Sequence, residues 1–566
     1  MTKASEQICD VLIEAGIDHV FGMPGGGTTH IWKSLTTRQD KIRTILVRHE
    51  QAASCMADMY GRLTGRPAVL IGQGPFIGSI GVFGIVEAFS SYSPMLVLTD
   101  TSEADTFSQH GNYQSGTGEY GSYDLPGILK AVSKYVTYAV TPEEAVQGVQ
   151  LAIKHATSAR PGPACVVMRT AAVSGEVNPT RIPKIYPTEG YLSTSLTIPP
   201  KANIERAAEL LIKAEYPVLI AGNGVHISKA YLELRQLAEL LGMPVATSYK
   251  GKSTFAEVHP LAVGMMGSYG QKIANDVIAD ADVLLVAGSR LSPNNTLYES
   301  TKLIDPSRQR IIQLDVDPRN AGWTYPVEIA LIGDLKPVLQ GLLEVVAESV
   351  GKKSPRAEER TRALSKRKQA EGFFEAPELH SAVSPILPQR LINEINEVVT
   401  PSTILTLDAG NNRLWTTHFF QSKEVGTIFA PGGIGGMGWG IAAALAAKLV
   451  YPERPVVSVA GDGGFGMMLH VLSTAIQYRL PVTFVVVNDS GLGMVRDLRL
   501  KDKPDSVGFV PLDYAKIALA FGCRGVRVEK PEGIGPALKE ALSSKEPMVV
   551  DVVTSQQESI LKIMNV

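Results

Sequence analysis

The chain has 566 residues, too many for one ordinary hydrophobic core, and length alone predicts about three or four domains. Its 54 Lys and Arg against 56 Asp and Glu leave a formal charge of −2, which offers no electrostatic basis for binding nucleic acid or an anionic membrane. Cys9, Cys55, Cys165 and Cys523 show no CxxC spacing, the N-terminus has no apolar signal core, and no run of about 18 apolar residues is present, so a cytoplasmic enzyme without zinc or disulfides is the default expectation.

Short β-branched runs alternate with amphipathic stretches from end to end. Strands are predicted at 44–47, 68–72, 95–99, 164–168, 217–221, 283–287 and 311–316, then at 403–407, 456–460, 483–487 and 548–553. This alternation predicts repeated βαβ units and parallel sheets. Residues 181–200, with Pro183, Pro187, Pro199 and Pro200, read as a connection. So do residues 351–387, whose Arg/Lys/Glu run is expected to form a solvated linker helix. The expected fold is α/β, three Rossmann-like domains over 1–180, 190–350 and 375–566.

The most chemical stretch is Gly461-Asp462-Gly463-Gly464, which follows a predicted strand and precedes a helix expected over 467–478. Asn488-Asp489-Ser490-Gly491 ends the next strand. A divalent cation such as Mg²⁺ needs hard oxygen ligands and bridges phosphates well. Asp462, Asp489 and the Gly491 carbonyl could supply three of them, and Gly461, Gly463 and Gly464 let a phosphate approach the backbone at a helix start. The run also matches GxGxxG, but a carboxylate at its second position would repel a dinucleotide pyrophosphate unless a cation intervened. A plain turn beside an unrelated Asn-Asp loop is the third reading.

Far upstream, Val47-Arg48-His49-Glu50-Gln51-Ala52-Ala53 places a carboxylate between apolar runs at a predicted helix start. A lone Glu there is ordinarily first-turn dipole chemistry. Taken with the Gly461 and Asn488 motifs, it resembles the thiamine-diphosphate enzymes of the acetolactate-synthase branch, and the resemblance runs over nearly the whole chain. It implies that the domains are, in order, pyrimidine-binding, middle and diphosphate-binding. It implies thiamine diphosphate and Mg²⁺ as cofactors, with Glu50 bonded to the pyrimidine ring nitrogen, a role suited to a carboxylate whose burial disfavours its charged form. In Pro431-Gly432-Gly433-Ile434-Gly435-Gly436-Met437-Gly438, the resemblance makes Met437 the prop beneath the cofactor and Gly435 a carbonyl acceptor for its amino group. Pro75, Asn411, Asn412, Leu492, Gly493 and Met494 become further cofactor contacts, with Gln114 and Met494 also facing the chemistry.

Several positions depart from that family's pattern. Asp489 stands where Asn is usual, Asn411-Asn412 replaces Gln-His, Phe76 adds bulk after Pro75, and Leu498 replaces the Trp that selects the acceptor. Arg290 is followed by Leu291-Ser292-Pro293-Asn294-Asn295-Thr296 rather than Phe-Asp-Asp-Arg-Val-Thr-Gly, which puts FAD in doubt and leaves FAD, ADP or an empty middle domain open. His110 is the one loop histidine to watch. The expected activity is decarboxylation of a pyruvate-like 2-keto acid with carboligation to a second carbonyl compound. The alternative is cleavage of a 2-hydroxyacyl-CoA, as in the oxalyl-CoA decarboxylase branch; a catalytically silent cofactor-binding subunit ranks lower. Expected partners are thus a keto acid, an aldehyde or an acyl-CoA, and a second copy of the chain in a homodimer or homotetramer.

Overall fold

In chain order, β1 (His19–Gly22), β2 (Arg43–Leu46), β3 (Ala68–Gly72), β4 (Met95–Asp100), β5 (Tyr135–Ala139) and β6 (Pro163–Met168) form one six-stranded parallel sheet ordered β2-β1-β3-β4-β6-β5. A second sheet holds β7 (Pro217–Ala221), β8 (Val245–Thr247), β9 (Ala262–Met265), β10 (Val283–Ala287), β11 (Arg310–Asp315) and β12 (Ile329–Ile332), ordered β12-β11-β10-β7-β8-β9. The third holds β13 (Ile404–Leu407), β14 (Ile428–Phe429), β15 (Val456–Gly461), β16 (Thr483–Asn488), β17 (Arg524–Val528) and β18 (Met548–Val553), ordered β14-β13-β15-β16-β18-β17. The computed structural model describes residues 2–103, 113–178, 180, 186–192, 195–351 and 353–565; His110 lies outside them.

The first and third sheets share one strand order, while the second has the 3-2-1-4-5-6 order of dinucleotide-binding folds. Central strands such as Met95–Asp100 are buried along their whole length, as parallel strands covered by helices on both faces must be. The direction in which successive strands are laid down across the sheet reverses between β1 and β3, between β7 and β10, and between β13 and β15. Open α/β sheets bind ligands in the crevice at such reversals.

The predicted strands at 68–72, 217–221, 283–287 and 548–553 appear with those bounds. The helix expected over 467–478 does not. It starts at Asp462, breaks after Met467 and resumes over Val471–Gln477. Gly463, Gly464 and Gly466 give its first turn little side-chain packing, consistent with the break. The charged run forms the helix Ala357–Glu371, but one side is docked rather than solvated. Leu364 joins the middle-domain core and Arg360 donates to the carbonyls of Ala214, Glu215 and Leu241. Residues Gly74–Ser91 are helical, long and apolar enough to cross a membrane by composition, contrary to the sequence expectation, yet half of the stretch is buried within the protein.

The outer two sheets meet through helices Glu50–Thr64 and Trp439–Val450. Every residue of the second from Trp439 to Leu449 is buried, and its five alanines keep its surface slim enough for the first to lie close. One core cluster accordingly contains residues of both domains.

Two histidines are buried where domains meet. His226 accepts from the Tyr231 hydroxyl at Nδ1 and donates to the Lys252 carbonyl at Nε2, both at 2.9 Å. His418 donates from Nδ1 to the Tyr269 carbonyl at 3.0 Å. Burial pulls both down to about 4 from the ordinary 6.5. Below pH 6.5 the unfolded chain therefore binds protons that the folded chain excludes. The contribution of these two imidazoles to stability is fullest above that value and declines as the pH falls towards 4; NMR titration of the folded chain is expected to show both still neutral at pH 5, and protonation of either near 6.5 would contradict the neutral buried assignments.

Candidate active site

At the reversal between β13 and β15, a cavity of about 220 Å³ opens, lined by Gly410, Asn411, Asn412, Gly435, Met437, Gly461–Gly464, Asp489 and Gly491–Met494. It thus gathers all the expected diphosphate, metal and Met437 residues. Gly435 and Gly438 have φ of +68° and +98°, so the turn that carries Met437 requires glycine there. A Cβ on Gly463 would lie 3.0 Å from Met437 Cε, and one on Gly464 would lie 2.0 Å from Asp408 Oδ2. The floor of the cavity is therefore backbone, as a diphosphate cradle needs.

Asp462 accepts from the Gly463 amide at 2.9 Å and from the Gly491 amide at 3.1 Å. Burial, then the charge of Asp489, pushes its carboxyl up to about 7. Two buried carboxylates this closely coupled favour a shared cation. Asp489 is itself raised by burial, although Arg496 sits 2.7 Å from its Oδ2. Among the described residues no group of three or more His, Cys, Asp or Glu side chains converges, so a metal here would rest on these two carboxylates with backbone and phosphate oxygens. Asn411 Oδ1 faces the same region, buried and without a hydrogen-bond partner. The amide NH₂ groups behave differently from expectation: Asn411 donates to Asp497 and Asn412 to the backbone carbonyls of Asp408 and Val459. These residues fit the diphosphate group and its metal.

The pyrimidine-side residues lie elsewhere. Glu50 is 6% exposed at the start of its helix, and Cβ atoms on Gly72 and Gly81 would come within 3.7 and 3.8 Å of it. Gln114, at φ +77°, accepts from Gln73 at 3.1 Å, and Pro75 stands in the short helix Gly74–Phe76. None of these three lines the cavity. Gln51 instead faces its own chain's turn, with Nε2 3.6 Å from the Cβ position of Gly438. The expected pyrimidine-side residues of the first domain thus lie outside the lining of the cavity that gathers those of the third. Leu498 is half-buried and packs against the core of the third domain.

Two residues with no assigned role in the sequence organise this turn. Asp408 is fully buried and accepts from the amides of Gly438 at 2.9 Å and Gly440 at 3.0 Å. Burial still pushes it up to about 6. Glu87, reaching across from the first domain, accepts from the amides of Gly433, Ile434 and Gly435 at 2.7, 2.8 and 3.2 Å. Its sequence signal is a lone carboxylate within the apolar run Val82-Phe83-Gly84-Ile85-Val86-Glu87-Ala88-Phe89.

A second cavity, about 580 Å³, lies at the reversal between β7 and β10 and is lined by Asn223, Gly224, Arg290, Asp315 and Lys336 together with Gly432–Gly435. The Gly-rich turn thus forms a wall of both cavities.

Replacing Gly464 by Ala would drive a methyl group into Asp408, which the Gly438 and Gly440 amides hold in place. The expected cost is about 1–3 kcal/mol of stability, as for other overpacked cores, together with loss of cofactor binding. A thermal midpoint and cofactor titration equal to the parent's would show that Asp408 is free to move.

Residues 2–117 match the family described as thiamine pyrophosphate enzyme, N-terminal TPP binding domain; 204–342 match its central domain and 408–552 its C-terminal TPP binding domain. The chain is 33% identical to the probable acetolactate synthase large subunit of Methanocaldococcus jannaschii, over 99% of this chain and 93% of that protein. It is 31% identical to the acetolactate synthase large subunit of Corynebacterium glutamicum over 97% of this chain and 86% of that one. With the acetolactate synthase isozyme 3 large subunit of Escherichia coli it shares 29% identity, over 99% and 96%. Its three parallel sheets and its full-length likeness to these proteins place the chain in the thiamine pyrophosphate enzyme family, on the acetolactate-synthase branch.

Proposed function

We propose that the chain decarboxylates a pyruvate-like 2-keto acid and ligates the remaining fragment to a second keto acid or aldehyde. The observation that carries this is the cavity in which Asp462, Asp489 and Gly491 stand opposite the Gly435–Met437 turn. Thiamine diphosphate, when bound, supplies the electron sink for loss of CO₂. Mg²⁺ would be held by the two carboxylates and the Gly491 carbonyl, and Asp489 is a competent ligand in place of Asn. Gly435 would offer its carbonyl to the cofactor's amino group, Met437 would pack against it, and Glu50 would hydrogen-bond to the pyrimidine ring nitrogen. Closure of the cavity by a second copy of the chain would exclude water and favour ligation over simple release of an aldehyde.

The same reading makes the active unit at least a dimer, with Glu50, Pro75 and Gln114 of one copy facing the metal cavity of another. Supporting it are the position of those three residues outside the cavity lining and the apolar side chains left open beside the cavity. Met467 is 57% exposed at the end of the Asp462 helix, and Phe509, which meets Gly463, is 41% exposed. Each sheet forms the core of its own domain, over 1–180, 190–350 and 375–566. The cavity of the middle domain, with Arg290 and Lys336 on its wall, is assigned to a nucleotide of ADP type. The visible spectrum of the purified protein identifies it as FAD or excludes a flavin.

Glu50→Gln is expected to lower turnover by about 10²-fold or more, the range of a lost proton-transfer group, while cofactor binding persists. Turnover within a few-fold of the parent would refute the assignment. Mixing Glu50→Gln with Asp462→Asn separates shared from single-chain sites: each mixed dimer keeps one intact site, so random pairing should restore about a quarter of parental activity. No recovery after verified subunit exchange would mean that each site is built within one chain.

A further inference from the structure

The segment 430–439 is gripped from the first domain at several points by three side chains that no catalytic role claims. Glu87, with no exposed surface, takes the amides of Gly433, Ile434 and Gly435. Arg62 Nη2 bridges Glu87 Oε1 and Asp58 Oδ2, each at 2.7 Å, and its Nη1 donates to the Ala430 carbonyl at 2.8 Å. Asp58 accepts from Trp439 Nε1 at 2.8 Å, and the Arg62 guanidinium lies 4.5 Å from the centre of that indole ring. Carbonyl, amides and indole at both ends of the turn are thus fixed by one buried ion-pair network, which sets where the Gly435 carbonyl and Met437 sit.

Three consecutive amides converging on one carboxylate form an anion nest, and Glu87 fills it as a built-in anion. The geometry leaves the turn little freedom: a Cβ on Gly433 would lie 2.9 Å from Glu87 Oε1 and 2.7 Å from the Glu87 carbonyl oxygen. We infer that Glu87 is a positioning residue. It touches neither cofactor nor substrate, but it holds the Gly433–Gly435 amides and thereby presents the Gly435 carbonyl and Met437 to thiamine diphosphate. This rests on the proposed roles of Gly435 and Met437. It adds that cofactor geometry in the third domain is set by a carboxylate of the first domain in the same chain.

The test uses the full chain as Glu87→Gln, Glu87→Asp and Gly433→Ala, with Glu50→Gln alongside. Gln keeps the length but turns an NH₂ towards amides that need an acceptor; Asp keeps the charge with a shorter reach. Gly433→Ala pushes the turn off Glu87 without leaving Arg62 short of a partner. Thiamine diphosphate is titrated by quenching of tryptophan fluorescence, and its bound form is followed by near-ultraviolet circular dichroism. The keto-acid KM and kcat are measured at saturating cofactor. Glu87→Gln and Gly433→Ala are expected to raise the cofactor half-saturation about tenfold and lower kcat, while the keto-acid KM stays within about twofold, since positioning of the cofactor and not donor binding is disturbed. The dichroism of the bound cofactor should change in both, with Glu87→Asp between them and the parent. Parental cofactor affinity and dichroism in Gly433→Ala and in folded Glu87→Gln would overturn the inference. If Glu87→Gln does not fold, Gly433→Ala decides alone. An active Glu50→Gln would instead sink the underlying site reading.

Discussion

The structure depends on one buried ionic contact, Arg62 between Asp58 and Glu87, set where the first and third domains meet. Burial alone would favour a neutral Glu87, but Arg62 and the Gly433 and Ile434 amides outweigh it and hold the carboxyl down at about 2. Removing one partner of such a pair costs on the order of 3–5 kcal/mol, because a charge is left without compensation. That is a large share of the ~5–15 kcal/mol by which a domain is stable. The charges are retained because the contact does directional work that apolar packing cannot: it fixes backbone amides at defined points. The slim alanine face of Trp439–Val450 supplies the area of the contact, and the ions supply its register.

A turn fixed in this way can serve two cavities. Gly435 borders both the cavity of Asp462 and Asp489 and the larger one of the middle domain, and Arg413 adds a bond from Nη1 to the Pro431 carbonyl at 2.6 Å. The cavity floor is therefore rigid backbone at a strand reversal, with Asn411, Asn412 and Asp489 on its walls. Asn411 and Asn412 direct their amide groups inward, and Asp489 meets Arg496.

Much of this was legible in the residues. Short β-branched runs marked the strands, because a strand buried on both faces leaves no other pattern, and Gly461-Asp462-Gly463-Gly464 with Asn488-Asp489 marked residues that the fold gathers around one cavity, because each run follows a strand at the same edge of the third sheet. What stayed hidden was long-range. Glu87 acts on amides some 346 residues away, and backbone amides carry no sequence signature. The break after Met467 reflects poor packing of a glycine-rich turn, which periodicity alone does not register. Helix Ala357–Glu371 looked solvated because its charges dominate its composition, although Ala357, Arg360 and Leu364 are enough to dock one side.

The first and third sheets share a single strand order, and Glu50 belongs to the first domain while Asp462 and Asp489 belong to the third. Their covalent link keeps these two like-ordered domains in equal number, so neither can be made in excess of the other. The middle domain lies between them in the chain with a different strand order.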